Sequence, residues 1–345
     1  MHNWSSWLST ALISGVLIAC AAPASAAIAK YSNDAVKFGK LNQRTMGYPL
    51  GDWACAPVSV ANSFAYLERE YPNHYQRRLV PEITVDGLID AAEIASVALT
   101  LASPAYMDTQ LPASHMPPPP NPVPPAEPYY DPNVHGYVPG MPAFETAGGT
   151  SFENWAWGKN KYLTQPGMPW TRMKGQYRSP WTNPTGQRPR PAWMQDNVNL
   201  SLNDLVMCIL EGCDVEVGFT WMKLIGQVWV EQDSGHAVTI HGFEFEDADG
   251  DGEWSPGEMI TSLQLIDPWN DNPVGLPPVE NAPDLTATIT AAGGELFLQY
   301  NGGAVGPALA GTLRGRLKMW MAECPEPTSL ALLAPLVLLV RRRGA

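Results

Sequence analysis

The chain has 345 residues, of which 45% are apolar and 16% charged, and its formal net charge at pH 7 is -13. A chain of this size can bury one large core or two small ones. Because it is acidic and contains no basic patch, phosphate-binding loop or dinucleotide-binding fingerprint, we expect no nucleic-acid partner, whereas calcium and neutral or cationic partners fit its charge.

Residues 1–26 are typical of a secretory signal peptide. An apolar run over 8–22 precedes a small-residue cleavage signal that ends at Ala26. We expect cleavage near Ala26, which makes the protein an exported one. The alternative is lipidation of Cys20, since residues 17–20 resemble a lipobox.

Cys55 opens a predicted helix. Pro57 has a fixed φ that suits a first helical turn, and Val60, Phe64 and Leu67 lie on one side of the segment that follows. The unpaired N–H groups at a helix N-terminus favour a thiolate. Cys55 is therefore the candidate nucleophile, although a single cysteine is more often a small core residue.

Three segments without an assigned catalytic residue come next. Residues 82–93 fit a calcium-loop spacing only in part, and we interpret them as a turn before a helix over 91–101. Residues 112–142 are dense in proline and predict an extended surface insertion. Thr150 or Ser151 is the predicted N-cap of a further helix.

Two cysteines flank the end of a predicted helix over 202–211. Cys208 lies within that helix, and Cys213 precedes a predicted strand over 215–221. In an oxidising compartment these two could form a short disulfide. Cys55 would then stay free, as a nucleophile must.

The predicted strand over 237–245 follows a second candidate catalytic residue, His236. Side chains alternate along a strand, so His236 and His241 point to opposite faces and only one can face the thiol. Gly235 leaves space beside His236. Asp267, which ends a further predicted strand over 260–266, is the best candidate to hold the imidazole.

Residues 247–258 fit the twelve-position calcium loop of an EF-hand. Carboxylates occupy positions 1, 3 and 5, glycine position 6 and glutamate position 12, which suits a hard ion that needs six or more oxygens. The candidate ligands are Asp247, Asp249, Asp251, Glu253 through its carbonyl, Ser255 and Glu258. Because strands flank the loop, we expect a β-hairpin clamped by Ca²⁺; an acidic, metal-free hairpin tip is the alternative.

Alternating segments over 285–289, 296–298 and 313–320 predict two or three closing strands. The architecture expected from these elements is α+β, with the Cys55 helix packed on an antiparallel sheet. We assign residues 27–324 to one domain that contains the proline-rich insertion.

The C-terminal residues 325–345 form a tripartite pattern of Pro-Glu-Pro, an apolar stretch over 330–340 and three arginines. The stretch is too short for a membrane span of about 20 residues. The pattern resembles the PEP-CTERM sorting signal of Gram-negative bacteria, which an exosortase recognises and is thought to cleave. The resemblance implies a location in the cell envelope, at the outer surface or in the extracellular matrix. It also implies contact with the exosortase and secretion machinery, and membrane contact only transiently through the tail; a plain C-terminal anchor is the alternative.

The catalytic candidates resemble a known family. Cys-x-Pro at a helix start, Gly-His-x-Val-x-x-x-Gly-Phe over 235–243 and Asp-Pro after a further strand are similar to papain-like cysteine peptidases, most closely the branch of double-glycine-leader peptidases. The resemblance covers roughly 40–70 and 205–270. It implies a papain-like fold with Cys55 as nucleophile, His236 as general base and acid, Asp267 as orienting group, and a peptide or protein substrate.

The chain departs from this family at one position. The family usually places a glutamine about six residues before the nucleophile as an oxyanion donor, but Pro49 stands there and the nearest glutamine is Gln43. Losing one such donor typically costs about 10²–10³ in kcat. Three functions therefore stay open: a calcium-stabilised thiol hydrolase, a catalytically inactive calcium-binding envelope or matrix protein of the same fold, and a thiol acyltransferase or amidase acting on cell-wall material.

Overall fold

The computed structural model describes residues 26–47, 50–110, 149–182, 188–225, 227–269, 277–300 and 314–325. Within them the chain combines helices with a mostly antiparallel sheet, so the expected α+β class is confirmed. Nearly all of the predicted signal peptide, the whole proline-rich insertion and the tail after Pro325 lie outside the described residues. No described helix is long and apolar enough to cross a membrane.

The helices precede most of the sheet along the chain. They are α1 Cys55–Glu70, α2 Pro72–Tyr75, α3 Ala91–Ala102, α4 Phe152–Leu163 and α5 Leu202–Leu210, with 3-10 turns at Gln43–Met46 and Leu50–Asp52. Helix α1 is buried around its whole circumference from Ala56 to Glu68. It is therefore the central element of the helical layer.

Local sequence signals fix where the other helices begin. The Asp90 carboxylate accepts from the Glu93 N–H, and the Glu93 side chain accepts in turn from the Asp90 N–H, which forms a capping box for α3. Ser151 caps α4 by accepting from the Asn154 N–H, as one of the two predicted caps.

The strands form one nine-stranded sheet. They are β1 Ala27–Ser32, β2 Thr171–Tyr177, β3 Met194–Gln195, β4 Asp214–Ile225, β5 Val228–Asp247, β6 Ile260–Ile266, β7 Asp284–Ala292, β8 Glu295–Tyr300 and β9 Arg314–Pro325. Strands β5 to β9 are neighbours in order, and β4 pairs with both β5 and β9. These six antiparallel strands thus pair in a closed ring, which β1 and β2 extend.

Two apolar clusters make up the core. One surrounds α1 and includes Phe64, Ile94 and Trp155. The other includes Phe219 and Phe243 from the strand ring and contacts α5. The helical layer is tied to the ring where α1 crosses β5.

Two hydrogen bonds hold α1 against β5. The Ser59 hydroxyl donates to the Ala237 carbonyl at 2.9 Å, and the Thr239 hydroxyl donates to the Ser59 carbonyl at 3.0 Å. All three residues are buried. Since Ser59 follows Cys55 by one helical turn and Ala237 follows His236, this seam fixes the relative position of the two predicted catalytic side chains.

The expected Cys208–Cys213 disulfide is wrong. The structure pairs Cys213 with Cys324 at a Cα–Cα distance of 4.2 Å, and Cys208 is a free, buried thiol. The reason is the sheet register, in which Asp214 of β4 lies opposite Glu323 of β9. The neighbouring cysteines are therefore adjacent across the sheet.

Candidate active site

Cys55 is the first residue of α1 and is partly exposed. Ala54 occupies the N-cap and provides no side-chain hydrogen bond to the first turn. The first N–H groups of a helix have no intrahelical partner, and the helix dipole places partial positive charge there. Both features stabilise negative charge at the sulfur and at an oxygen bound beside it.

His236 and Asp267 are directly hydrogen-bonded. The distance from His236 Nε2 to Asp267 Oδ1 is 2.7 Å, and both side chains are buried. The same carboxylate oxygen accepts the Trp269 backbone N–H at 2.8 Å. Asp267 is therefore fixed by a backbone donor while it orients the imidazole.

The pKa of His236 reflects its burial and two neighbours, Asp267 and Cys55. Burial lowers the pKa, but the charge of Asp267, its hydrogen bond and the contact with the Cys55 side chain raise it to about 10. The imidazole is thus a cation at neutral pH. Since Nε2 binds Asp267, Nδ1 is the nitrogen left to exchange a proton with Cys55.

Aromatic rings cover the imidazole. The Trp221 ring stacks on it with centroids 5.8 Å apart, and the Phe219 ring meets it edge-on at 5.7 Å. A Cβ at Gly235 would lie 2.8 Å from the Phe219 carbonyl oxygen, so only glycine allows β4 and β5 to approach so closely here. The room that Gly235 provides is thus taken up by the backbone of β4 and is not open space beside His236.

His241 lies elsewhere, as strand alternation predicts. Its Nδ1 is 3.0 Å from the Ser32 hydroxyl, and burial lowers its pKa to about 4. This imidazole is neutral and contacts β1, whereas His236 contacts Cys55 and Asp267.

Gln43 is a residue near the site to which sequence spacing assigned no role. Its backbone N–H donates to the Pro268 carbonyl at 2.8 Å, and its Nε2 donates to the Gly51 carbonyl at 2.9 Å. It is buried and so joins the loop before Cys55 to the loop that carries Asp267. Pro49, at the position of the family's glutamine, lies outside the described residues.

The predicted calcium loop joins β5 to β6, as expected of a hairpin. One carboxylate oxygen from each of Asp247, Asp249 and Glu258 lies within 4.8 Å of the other two. Asp251 does not belong to this group, and its Oδ1 accepts the Glu253 N–H at 2.7 Å. Three of the six candidate ligands are therefore drawn together.

The remaining features of the loop fit a cation. The Ser255 N–H donates to Glu258 at 2.7 Å, which orients that carboxylate. A hydrogen bond from the Asp251 N–H lowers the pKa of Asp249, but desolvation and the charges of Asp251, Glu258 and Asp247 raise it above its ordinary value. Such mutual repulsion is relieved when a divalent cation binds among the carboxylates.

The partial match over 82–93 holds its carboxylates differently. Glu93 forms an ion pair with Arg77 at 2.5 Å and accepts the Ile83 N–H at 2.7 Å. Glu82 accepts the Gly87 N–H at 2.8 Å. Glu93 thus fastens the loop to α3, and Glu82 makes a hydrogen bond within the loop, in agreement with the interpretation of this segment as a turn before a helix.

The three side chains define a class of site: a thiol at a helix start, an imidazolium on an adjacent strand and a carboxylate that orients it. This chain matches no protein-family model, no curated protein and no solved structure.

Proposed function

We propose that the protein is a papain-like thiol hydrolase that acts as a peptidase. The observation that carries this proposal is the placement of His236 between Asp267 and Cys55, with a pKa raised to about 10. An imidazolium beside a thiol at a helix N-terminus is the arrangement that produces a nucleophilic thiolate.

The reaction follows from this geometry. The Cys55 thiolate attacks the peptide carbonyl carbon, and His236 gives its proton to the leaving amine as the C–N bond breaks. A thioester on Cys55 remains. His236 then takes a proton from water, which attacks the thioester and releases the acid. Asp267 keeps the imidazole in place throughout.

The oxyanion is stabilised by backbone donors in this proposal. The candidate donors are the N–H groups of Cys55 and Ala56 in the first turn of α1, since Pro57 has no N–H and the Val58 N–H donates to the Ala54 carbonyl. The side chain of Gln43, the glutamine nearest to Cys55 in the preceding sequence, does not serve as an oxyanion donor in this proposal, because it donates to the Gly51 carbonyl. This engagement is the observation that favours the second candidate, a catalytically inactive calcium-binding protein of the same fold.

We further propose that Ca²⁺ is the cofactor of the 247–258 loop. Asp247, Asp249 and Glu258 supply converging carboxylates, with Asp251, Ser255 and the Glu253 carbonyl close in sequence to complete the oxygen shell. Bound Ca²⁺ supplies charge neutralisation and no chemistry. Its effect is to hold together β5, which carries His236, and β6, which leads to Asp267.

Export to the bacterial cell envelope or matrix remains part of the proposal. It rests on the patterns at the two ends of the chain, through which the exosortase and secretion machinery would act. The Cys213–Cys324 disulfide supports it, because disulfides persist in oxidising compartments and are rare in the cytosol.

The test of the enzymatic proposal is hydrolysis of a mixed peptide library, read by mass spectrometry, with the wild type and Cys55→Ala. Cys208→Ala is the matched control, because Cys208 is also a free thiol but lies at the end of α5. We expect cleavage by the wild type and the control and none by Cys55→Ala. Cleavage that survives in Cys55→Ala contradicts the proposal, and Ca²⁺ binding without any cleavage favours the inactive alternative.

A further inference from the structure

A free thiol lies against a disulfide to which it does not belong. The sulfur atoms of Cys208, Cys213 and Cys324 are all within 4.8 Å of one another, and all three residues are buried. Cys213 and Cys324 form the disulfide. The sulfur cluster lies where α5 ends and β4 meets β9, and the mechanism proposed above does not use it.

The C-terminus of α5 explains why Cys208 and Cys213 are close. The Cys213 N–H donates to the Cys208 carbonyl at 3.0 Å, and the Gly212 N–H donates to the Ile209 carbonyl at 3.0 Å. With Gly212 at a φ of 75°, these bonds form a Schellman motif. That motif places the residues at its two ends side by side, independently of the disulfide.

We propose that Cys208, Cys213 and Cys324 form a thiol–disulfide exchange site in which the bridge moves from Cys213–Cys324 to Cys208–Cys213. The Cys208 thiolate attacks the Cys213 sulfur, a new S–S bond forms and the old one breaks. Cys324 leaves as a thiolate and takes up the proton that Cys208 lost. The step is an isomerisation and consumes no oxidant or reductant.

The surroundings of Cys208 keep this exchange slow at neutral pH. Burial raises the pKa of the Cys208 thiol to about 11; Lys174 and Arg172 lower it, whereas Glu211 and Asp204 raise it. Since only a thiolate attacks, exchange accelerates as the pH rises or as the end of α5 opens to water.

Glu211 also faces the disulfide itself. Its Oε2 is 4.0 Å from the sulfurs of both Cys213 and Cys324, and it is ion-paired with Arg172 and Lys174. A carboxylate in this position disfavours the departing Cys324 thiolate, and the two cations offset that effect. The exchange is therefore sensitive to the charge of this one side chain.

Disulfide exchange changes which segments of the chain are covalently linked. The observed bridge closes a loop with a sequence separation of 111 and ties the end of β9 to the start of β4. The product joins two residues of the same turn and leaves the end of β9 with no covalent link to β4, so that it is held by core packing and by hydrogen bonds, including the bond from the Glu323 N–H to Asp214 at 2.5 Å. The site thus controls how firmly the last described strand is held.

The test uses the full chain with Cys55→Ala, which removes a competing thiol. The protein is incubated at about pH 7 and about pH 9.5, around and above the usual thiol range, with circular dichroism to verify the fold. It is then acid-quenched, alkylated with N-ethylmaleimide in denaturant and mapped by mass spectrometry. We expect the label on Cys208 at neutral pH, and a growing fraction on Cys324 with a Cys208–Cys213 link at alkaline pH. A label that stays on Cys208 at both pH values overturns the proposal.

A variant tests the geometry without relying on rate. In Cys55→Ala/Cys324→Ser incubated with oxidised glutathione as the two-electron oxidant, we expect Cys208 and Cys213 to form the disulfide, whereas adding Cys208→Ser should leave Cys213 without this intramolecular partner. Recovery of both Cys208 and Cys213 as alkylated thiols in the first variant contradicts the proposal. Should the Cys324→Ser chain not fold, the alkaline experiment on the intact cluster decides alone.

Discussion

His236 and Asp267 share a hydrogen bond of 2.7 Å, although they are 31 positions apart in the chain and the whole hairpin with the 247–258 loop lies between them. The bond connects β5 to the residue that follows β6, the two strands that flank this hairpin. Orientation of the imidazole and integrity of the hairpin are therefore linked. Cys55 contributes from the helical layer, so the site spans the seam between α1 and the sheet.

Asp267→Asn removes the charge that holds His236 as a cation while keeping the shape of the side chain. We expect the pKa of His236 to fall from about 10, so the alkaline limb of the hydrolysis profile moves to lower pH. We expect kcat/KM to fall by about 10²–10⁴. The measurement is the pH profile of kcat/KM, with the exposed Asp34→Asn as control. An unchanged alkaline limb in Asp267→Asn contradicts this role.

Gln43→Ala removes the hydrogen bond from Nε2 to the Gly51 carbonyl, which positions the loop before Cys55. Misplacement of a nucleophile by about 1 Å costs up to about 10² in rate. We expect kcat to fall by about 10–10² while the pH profile keeps its shape, since His236 and Asp267 keep their bond. Gln195→Ala, at an exposed position of β3, is the control. A shifted pH profile would show that Gln43 acts on the imidazole instead.

Calcium should stabilise the fold through the 247–258 loop. A ligand at about 100 times its Kd contributes about 2.7 kcal/mol, and each kcal/mol raises the Tm of a larger domain by about 2–4 °C. We expect this rise with Ca²⁺ in the wild type and its loss in Asp249→Ala, which removes the oxygen ligand at position 3. Glu253→Gln should behave as the wild type, because position 7 of such a loop binds through its carbonyl. Equal Tm values with Ca²⁺ and with a chelator would refute the calcium site.

A buried charge cluster lies between α4 and strands β4 and β9. The Lys159 Nζ lies 2.9 Å from Asp214 and 2.8 Å from Glu216, with Glu323 at 4.0 Å, and none of these side chains is exposed. The ammonium group of Lys159 is therefore the cation nearest to all three carboxylates in this cluster. Burial, with the charge of Asp214, raises the pKa of Glu216 to about 8 despite the opposing effect of Lys159.

Glu216 should make stability fall as the pH rises. Its pKa is near 4.5 when unfolded and about 8 when folded, so the folded state keeps a proton that the unfolded state releases in this window. His241 acts oppositely between its lowered pKa of about 4 and its ordinary value of 6.5, so the informative quantity is the difference from Glu216→Gln. Asp214 and Glu323, whose pKa values burial also raises, and His236, whose pKa is raised to about 10, contribute a fall of the same sign. We therefore expect Glu216→Gln to reduce, not abolish, the fall in the free energy of unfolding between pH 4.5 and pH 8, measured with urea. Parallel pH curves for the two proteins would exclude this account.

The elements around the site follow largely from local sequence. Pro57 and the spacing of Val60, Phe64 and Leu67 indicate α1, and alternation indicates the strand that places His236 opposite His241. Asp267 follows because a third group must hold the imidazole and this carboxylate ends the predicted strand over 260–266. Each of these signals depends on residues only a few positions apart, so the element it indicates can be predicted from the sequence alone.

Contacts between residues that are far apart in the chain could not be predicted from such local signals. Cys213 pairs with Cys324 because β4 neighbours β9 across 111 residues, and sequence spacing favoured Cys208. Glu216 lies in a strand where a carboxylate usually faces water, and its burial depends on Lys159 from α4. Gln43 begins a 3-10 turn and makes hydrogen bonds to both loops of the site. Its position twelve residues before Cys55 does not indicate these contacts.

The central claim is that Cys55 and His236 form a reactive pair, and the most direct test is alkylation by iodoacetamide across about pH 4–9, a range that extends well below the usual thiol pKa. Mass spectrometry locates the label, and buried Cys208 serves as the internal reference. The account predicts rapid, selective modification of Cys55 at and below neutral pH that is lost in His236→Ala. Modification only at the alkaline end, or labelling that His236→Ala leaves unchanged, would contradict it.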